Sequence, residues 1–311
     1  MARRQSSSPD AVSNKTHTAR LMGMWVPLMV VTELVFWFVL QPHIPPGRQS
    51  DSAQGQQFDI TVLSMIATPV FELVIMYFIY SLLVWRHPKG APLVDGPPIR
   101  SNMKIQTAWM VITSAMVFGA FVFGTYELVV PAGAGGGEGP NPIWKPSGKV
   151  LPVQVIAQQW RFTYRYPTLG GFETSQLVIP NHTEIAFHVT SLDVVHNFWA
   201  YQLGVKADAN PQSDNVAYTH TNQVGRFTVR CAELCGIWHG AMYNYGHVVP
   251  RAQFSSWATS TKARLASNTK NLPPFSYAGY VPSANGAAGS FYSPQDKFGP
   301  LETYGAATPT S

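Results

Sequence analysis

The stretch CAELCGIWHGAM, Cys231 to Met242, holds the only two cysteines of a 311-residue chain. They stand four positions apart, His239 follows four later, and Met242 three after that. Met242 is also the only methionine after Met116, so the soft sulfur groups of the C-terminal part lie in one segment. Thiolate and thioether sulfur suit copper, and imidazole suits it too. In an oxidising compartment the same two cysteines could form a disulfide, a reading that gives His239 and Met242 no part. A single blue-copper ion takes one Cys, two His and a weak Met, and this segment carries one cysteine too many. Two thiolates can instead bridge two copper ions, each capped by one imidazole and one weaker ligand. The second imidazole must then come from elsewhere. His196, ending the strand-like run SLDVVHNFW, is the best placed.

Working outward, the residues on both sides of this loop read as strands. From Trp144 to about Pro250 the chain has short β-branched and aromatic runs broken by turn residues, among them KVLPVQVIAQQWRFTYRYP, TEIAFHVTSLDVV and MYNYGHVVP. This spacing predicts an all-β sandwich or barrel over 144–250. Residues 251–267 carry Phe254, Trp257 and Leu265 at helical spacing and predict a closing helix. Upstream, 132–143 is Gly-rich and reads as a flexible linker. The tail, 268–311, is rich in Gly, Ala, Ser, Pro and Tyr; it is a low-complexity segment with too few aliphatic residues to bury a core.

Only 12% of residues are charged while 46% are hydrophobic, which points to a membrane protein. Three apolar segments, about 21–40, 61–85 and 106–130, are each long enough as helices to cross a hydrocarbon core of about 30 Å. Arg3, Arg4, Lys15 and Arg20 precede the first, and Arg86, Lys89, Arg100 and Lys104 lie between the second and third. By the positive-inside rule the N-terminus (1–20) and that loop are cytoplasmic. The β domain is then on the periplasmic or extracellular side of a multi-pass, bacterial-type cell membrane. The first segment is read as a retained helix, since no A-x-A-like cleavage site follows it. The formal charge of +5 comes largely from these flanking residues, so it signals topology and not nucleic-acid binding.

SLDVVHNFW followed by CAELCGIWHGAM resembles subunit II of the haem-copper cytochrome c oxidases, the subunit that carries the dinuclear CuA centre. The resemblance spans roughly Thr61 to Trp257 and implies membrane helices, two or three, followed by a cupredoxin-like β domain. By position it implies Cys231 and Cys235 as bridging thiolates, His196 and His239 as terminal imidazoles, and Met242 as a weak ligand. Glu233 would give its backbone carbonyl to the second copper and its carboxylate to a Mg²⁺ or Mn²⁺ shared with the large subunit. Trp160, in AQQWRFTYRYP, falls where electrons enter; from its chemistry alone it reads as a core or surface aromatic. Asp193 and Asp208 resemble positions near the large subunit, or are turn acids. The implied activity is single-electron transfer from cytochrome c, or a membrane-tethered donor, to haem in subunit I. Oxygen is reduced to water there with proton translocation, and subunits I and III and membrane lipid are the implied partners.

The chain departs from the family in two places. Family members that take electrons from a basic cytochrome c carry acidic residues around the copper site, but Trp144–Trp257 holds eight basic residues against six acidic ones. Long-range steering of a basic donor is therefore not expected. The carboxylate that assists proton entry before the last helix is replaced by Gln106. Glu33 and Glu72 lie inside apolar segments, where carboxylates face protein or water; both read as contacts to the large subunit. His182, His188, His220 and His247 read as solvated or hydrogen-bonded imidazoles. Two other functions share parts of the pattern: the copper subunit of a nitric oxide reductase, and a membrane-anchored copper chaperone. The chaperone needs a thioredoxin-like α/β fold with its histidine after the cysteines. A quinol oxidase lacks the ligands altogether.

Overall fold

In a computed structural model of the chain, residues 14–45, 47–86, 90, 101–130, 138–139 and 141–266 are described. The segments 268–311 and 132–137 lie outside them, as does most of the basic loop before the third helix. The chain divides into two units, residues 1–44 with 59–113, and residues 45–58 with 114–311.

Three helices have the length and apolarity to cross a membrane. Helix α1 spans Asn14–Val35 and runs on through a π-turn, Phe36–Leu40. Helix α2 spans Asp51–Val84 and α3 spans Met103–Val129. Their apolar side chains are largely uncovered, as with Val117 and Phe118 of α3, which is the pattern of helices solvated by lipid. In the first unit the Trp25 indole N–H donates to the Pro69 carbonyl at 2.9 Å, and His17 Nδ1 lies 2.7 Å from the Tyr80 hydroxyl.

Helix α2 begins well before the apolar run that marks it in the sequence. Its first turns are polar, and Ser50 caps them: its Oγ accepts from the Ala53 N–H at 3.0 Å and donates to the Leu203 carbonyl at 2.6 Å. That cap satisfies one of the free N–H groups at the helix start. The Asn222 side-chain N–H donates to Asp51 at 2.5 Å. Gly204 lies so close to these turns that a Cβ would sit 2.8 Å from the Ala53 backbone.

The second unit holds the β domain. Strand β1, Glu138–Gly139, falls within the stretch read as a linker. It is followed by β2 (Val150–Gln158), β3 (Arg161–Tyr166), β4 (Phe172–Thr174), β5 (Leu177–Pro180), β6 (Glu184–Ser191), β7 (His196–Ala200), β8 (Val205–Ala209), β9 (Asn215–His220), β10 (Gly225–Cys231) and β11 (Tyr243–Val249). One sheet runs β1-β9-β6-β2-β3-β4 and the other β5-β11-β10-β7-β8. Both are mixed, with β2 parallel to β6 and β11 parallel to β5. This is a cupredoxin-like β-sandwich, and the α/β arrangement that a chaperone of the thioredoxin class requires is not what these residues form.

The core follows from period-two alternation. In β8, Val205, Ala207 and Ala209 point inward while Lys206 and Asp208 point out. Phe187, Phe198 and Phe162 meet between the sheets, with centroids 5.2 and 5.9 Å from Phe198. Helix α4, Arg251–Arg264, closes one end by burying Phe254 and Ala258 and setting Trp257 against Tyr166 at 5.2 Å. Arg165 is fully buried and donates through Nε and Nη2 to the Gly171 carbonyl.

Candidate metal centre

Strands β10 and β11 are antiparallel neighbours, with Arg230 opposite Tyr243. The Cys231–Met242 segment is thus the loop of a hairpin. Its neck is closed by the Cys231 N–H donating to the Met242 carbonyl at 3.0 Å. On the other side of β10 lies β7, with Cys231 opposite Phe198, so its first residue, His196, arrives at the same end. The register of three adjacent strands brings distant residues into one volume.

The two sulfurs lie 3.7 Å apart, and both cysteines are free. A disulfide needs about 2.05 Å. His196 Nδ1 is 3.8 Å from the Cys231 sulfur, and His239 Nδ1 is 3.5 Å from that of Cys235. Met242 Sδ lies 3.8 Å from Cys235 Sγ, and the Glu233 carbonyl oxygen 3.2 Å from Cys231 Sγ. Each sulfur therefore faces one imidazole and one weaker donor. His196, Cys231 and Cys235 form a cluster able to hold a metal ion, and all three are buried.

The electrostatics favour a cation. Burial opposes a thiolate at Cys231, but hydrogen bonds from His196, Asn197 and its other neighbours outweigh it and hold the thiol at about 6. Burial and the adjacent Cys231 push Cys235 up. Two thiolates this close repel unless a positive charge lies between them. A metal would supply it and displace the second proton, since thiol ligands bind deprotonated. The donor set, two thiols, two imidazoles and a thioether, is soft and fits copper.

The surrounding groups fix these side chains. His196 Nε2 lies 2.8 Å from Asp193 Oδ1. Asp193 Oδ2 in turn accepts from the Gln159 N–H at 2.7 Å. Burial raises the Asp193 carboxyl, yet these bonds prevail and lower it. Both the Gln159 side-chain N–H and the Trp160 indole N–H donate to the Cys235 carbonyl, at 2.9 and 3.1 Å. Gly236, at φ +118°, lets the loop pass over them, where a Cβ would approach Trp160 to 3.2 Å.

Glu233 has a second neighbourhood. It lines a recess of about 400 Å³ with Glu138, Asn197, Lys206 and Asp208. Asp208 accepts from the Asn197 side chain at 2.7 Å, and Glu138 accepts from the Lys206 backbone N–H at 3.1 Å. Burial chiefly raises the Glu138 carboxyl to about 7, aided by Asp208 and opposed by Lys206. Sequence reading missed Glu138, an isolated acid in a glycine-rich run, and Gln159. Only the strand register makes either of them a neighbour of this loop.

The other flagged residues lie elsewhere. His188 and His220 are bonded to Asp214 and Glu184 at 2.8 and 3.0 Å. His182 sits in a turn at φ +48°, and His247 is exposed on β11. Gln106 is exposed in the first turn of α3. Glu33 lies in α1 and Glu72 in α2. Both carboxylate oxygens of Glu33 and one of Glu72 are shielded and without a hydrogen-bond partner among the described residues.

Comparison with known proteins agrees with this architecture. Residues 172–246 match the family model for the cytochrome c oxidase subunit II periplasmic domain. The chain is 25% identical to cytochrome c oxidase subunit 2 of Synechocystis sp., over 79% of this chain and 84% of that one. It is 24% identical to the same subunit of Thermostichus vulcanus, over 76% and 84%. It is also similar to the crystal structure of the periplasmic domain of subunit II from Bradyrhizobium japonicum. That likeness covers 37% of this chain and 94% of that one, at 31% identity and a TM-score of 0.36. The chain belongs to the cytochrome c oxidase subunit II family.

Proposed function

We propose that this chain is the electron-entry subunit of a haem-copper oxidase and carries a dinuclear copper centre. The observation that carries the reading is the paired geometry: two sulfurs 3.7 Å apart, each with its own imidazole at 3.5–3.8 Å. Cys231 and Cys235 would bridge two coppers, with His196 and His239 as terminal ligands and Met242 and the Glu233 carbonyl as weak ones. Bound copper would supply one-electron redox chemistry without proton transfer. The chain's own residues keep the site rigid. The hairpin neck fixes Cys231 against Met242, Asp193 orients His196, and Gln159 and Trp160 fix the carbonyl of Cys235. Burial of both cysteines excludes water from the sulfurs. Outer contacts of this kind orient and tune metal ligands.

Electrons would enter at Trp160, whose indole bonds directly to the ligand loop, from a cytochrome c or similar donor. They would leave toward haem in subunit I, where oxygen is reduced to water with proton translocation; subunit III completes the assembly. The Glu233 carboxylate and its acidic recess would face subunit I and could share a Mg²⁺ or Mn²⁺ with it. The β domain would lie on the periplasmic side, opposite the basic loop between α2 and α3.

The test is copper content and the electron paramagnetic resonance spectrum of the purified chain reconstituted with copper. Two coppers per chain with one unpaired electron coupled to both nuclei is the expected result. One copper with a blue-type signal, or no copper and a Cys231–Cys235 disulfide, would overturn the reading.

A further inference from the structure

Helices α1 and α2 leave a groove between them that their own side chains do not fill. Met24 and Leu28 line it from α1, and a row running from Glu72 through Met76, Ile79 and Leu83 lines it from α2. That row keeps three- and four-residue spacing, so it forms one stripe along the helix. The helices are joined beside the groove at two levels. The Trp25 indole N–H donates to the Pro69 carbonyl at 2.9 Å, and His17 Nδ1 lies 2.7 Å from the Tyr80 hydroxyl.

The groove holds about 520 Å³. From Glu72 to Val84 the helix rises about 18 Å, close to one leaflet of a hydrocarbon core of about 30 Å. Spread over that length, the volume gives a cross-section of roughly 30 Å². A helix of about 10 Å diameter needs more than twice that. The space is too narrow for another helix and suits a single hydrocarbon chain.

Its two ends differ. Glu72 stands midway along the apolar run 61–85, at the level of the bilayer centre. Only apolar surface borders the groove, so Glu72 lines it through carbon, and its Oε2 is shielded. The opposite end is cationic and aromatic. Arg20 stands four residues before Met24, as Met24 does before Leu28, so it continues their row on α1. Its side chain leans toward the helix start, away from the bilayer centre. Arg86 follows Trp85 just past the end of α2, three residues beyond Leu83. The Trp85 ring lies 5.6 Å from His17 and 5.2 Å from Tyr80, which brings the two helix ends to one mouth. Both arginines are exposed. The described carboxylates of this unit are Glu33, Asp59 and Glu72, and none stands at that end. Tryptophan and tyrosine are favoured at headgroup level.

We infer that the α1–α2 groove is a binding site for an anionic phospholipid, with one acyl chain along the Glu72–Leu83 stripe and the phosphate on Arg20 and Arg86. The hydrocarbon fills the groove, and the arginines select the headgroup. Guanidinium binds phosphate through charge-assisted hydrogen bonds, and a zwitterionic headgroup brings a cation that the arginines repel. No part of this rests on the copper reading.

The test uses the full chain in detergent, stripped of lipid. It is titrated with phosphatidylglycerol or phosphatidylcholine brominated on the acyl chains. Bromine quenches nearby indoles, and Trp25 and Trp85 flank the groove. Saturable quenching by both lipids is expected, with phosphatidylglycerol at least about tenfold tighter at low salt and the preference fading as salt rises. Arg20→Gln with Arg86→Gln should remove the preference and leave phosphatidylcholine binding in place. Met76→Phe with Ile79→Phe, which fills the groove, should abolish saturable quenching by both lipids with helix content unchanged by circular dichroism. Equal affinity of the parent chain for the two lipids would overturn the proposal, as would a preference that survives loss of both arginines. Quenching that rises without saturating would also overturn it, and would mark the groove as a surface for ordinary solvating lipid or for a partner's helix.

Discussion

His196 is held from both sides: its Nε2 lies 2.8 Å from Asp193 Oδ1 while its Nδ1 faces the Cys231 sulfur at 3.8 Å. The carboxylate fixes the ring orientation and the tautomer that leaves Nδ1 free for a metal. Removing such an outer partner typically costs 10–100-fold in metal affinity. Asp193→Asn, which keeps the shape and loses the charge, is expected to weaken copper binding by roughly tenfold. Competition with a copper chelator measures it. An unchanged affinity would mean that the strand register alone positions His196.

Gly204 sits at φ +61°, and a Cβ there would lie 2.8 Å from the Ala53 backbone. Neither constraint can relax through a side chain, because the obstacle is main chain. Gly204→Ala is expected to destabilise the protein by about 1–3 kcal/mol. Gly240→Ala is the control: nothing lies within 4 Å of the position a Cβ would occupy. Thermal unfolding of both variants tests this, and similar melting temperatures for the two would refute it.

That Cys231, Cys235, His239 and Met242 lie close together was legible in the sequence because they stand within twelve residues of one another, and the strand-like runs around them announced a β domain. The second layer was not legible. Asp193 read equally as a turn acid or a subunit contact, and only the pairing of β7 with β10 puts it behind an imidazole that faces the Cys231 sulfur. Glu138 looked like part of a tether, since a two-residue strand leaves no periodic signal. The start of α2 was hidden for a related reason. Hydrophobic length defines a membrane segment, whereas Ser50 and Asp51 extend the helix by polar capping and by bonds to Leu203 and Asn222.

Glu138 offers a test of the recess by pH. Its carboxyl is raised to about 7 by burial, with Lys206 opposing and Asp208 adding to the shift. The folded state thus binds a proton that the unfolded chain has released between about pH 4.5 and 7. Stability from this group is present at acid pH and is lost as pH rises through about 7. Glu138→Gln keeps an acceptor for the Lys206 N–H and removes the titration. The melting temperature of the variant relative to the parent should therefore climb from pH 5 to pH 8, corresponding to on the order of 2–3 kcal/mol. A pH-independent difference would show that the carboxylate is solvated.

Trp160 bonds through its indole N–H to the Cys235 carbonyl at 3.1 Å, and its ring lies under Gly236. Two effects can then be separated. Trp160→Phe keeps an aromatic ring in the same place and loses the hydrogen bond to the loop, whereas Trp160→Ala loses both. If the indole carries electrons to the centre, Trp160→Phe should slow reduction by a donor by at least about tenfold, the lower end of the cost of losing an outer partner. Trp160→Ala should be slower still, because the donor then meets a gap. The copper resonance spectrum should stay dinuclear in the Phe variant, since Gln159 still bonds to the Cys235 carbonyl at 2.9 Å. Stopped-flow reduction of the copper chromophore reads the rate and the spectrum reads the site. A full rate in Trp160→Ala with an intact spectrum would move electron entry to Trp238 or to the exposed edge of His239.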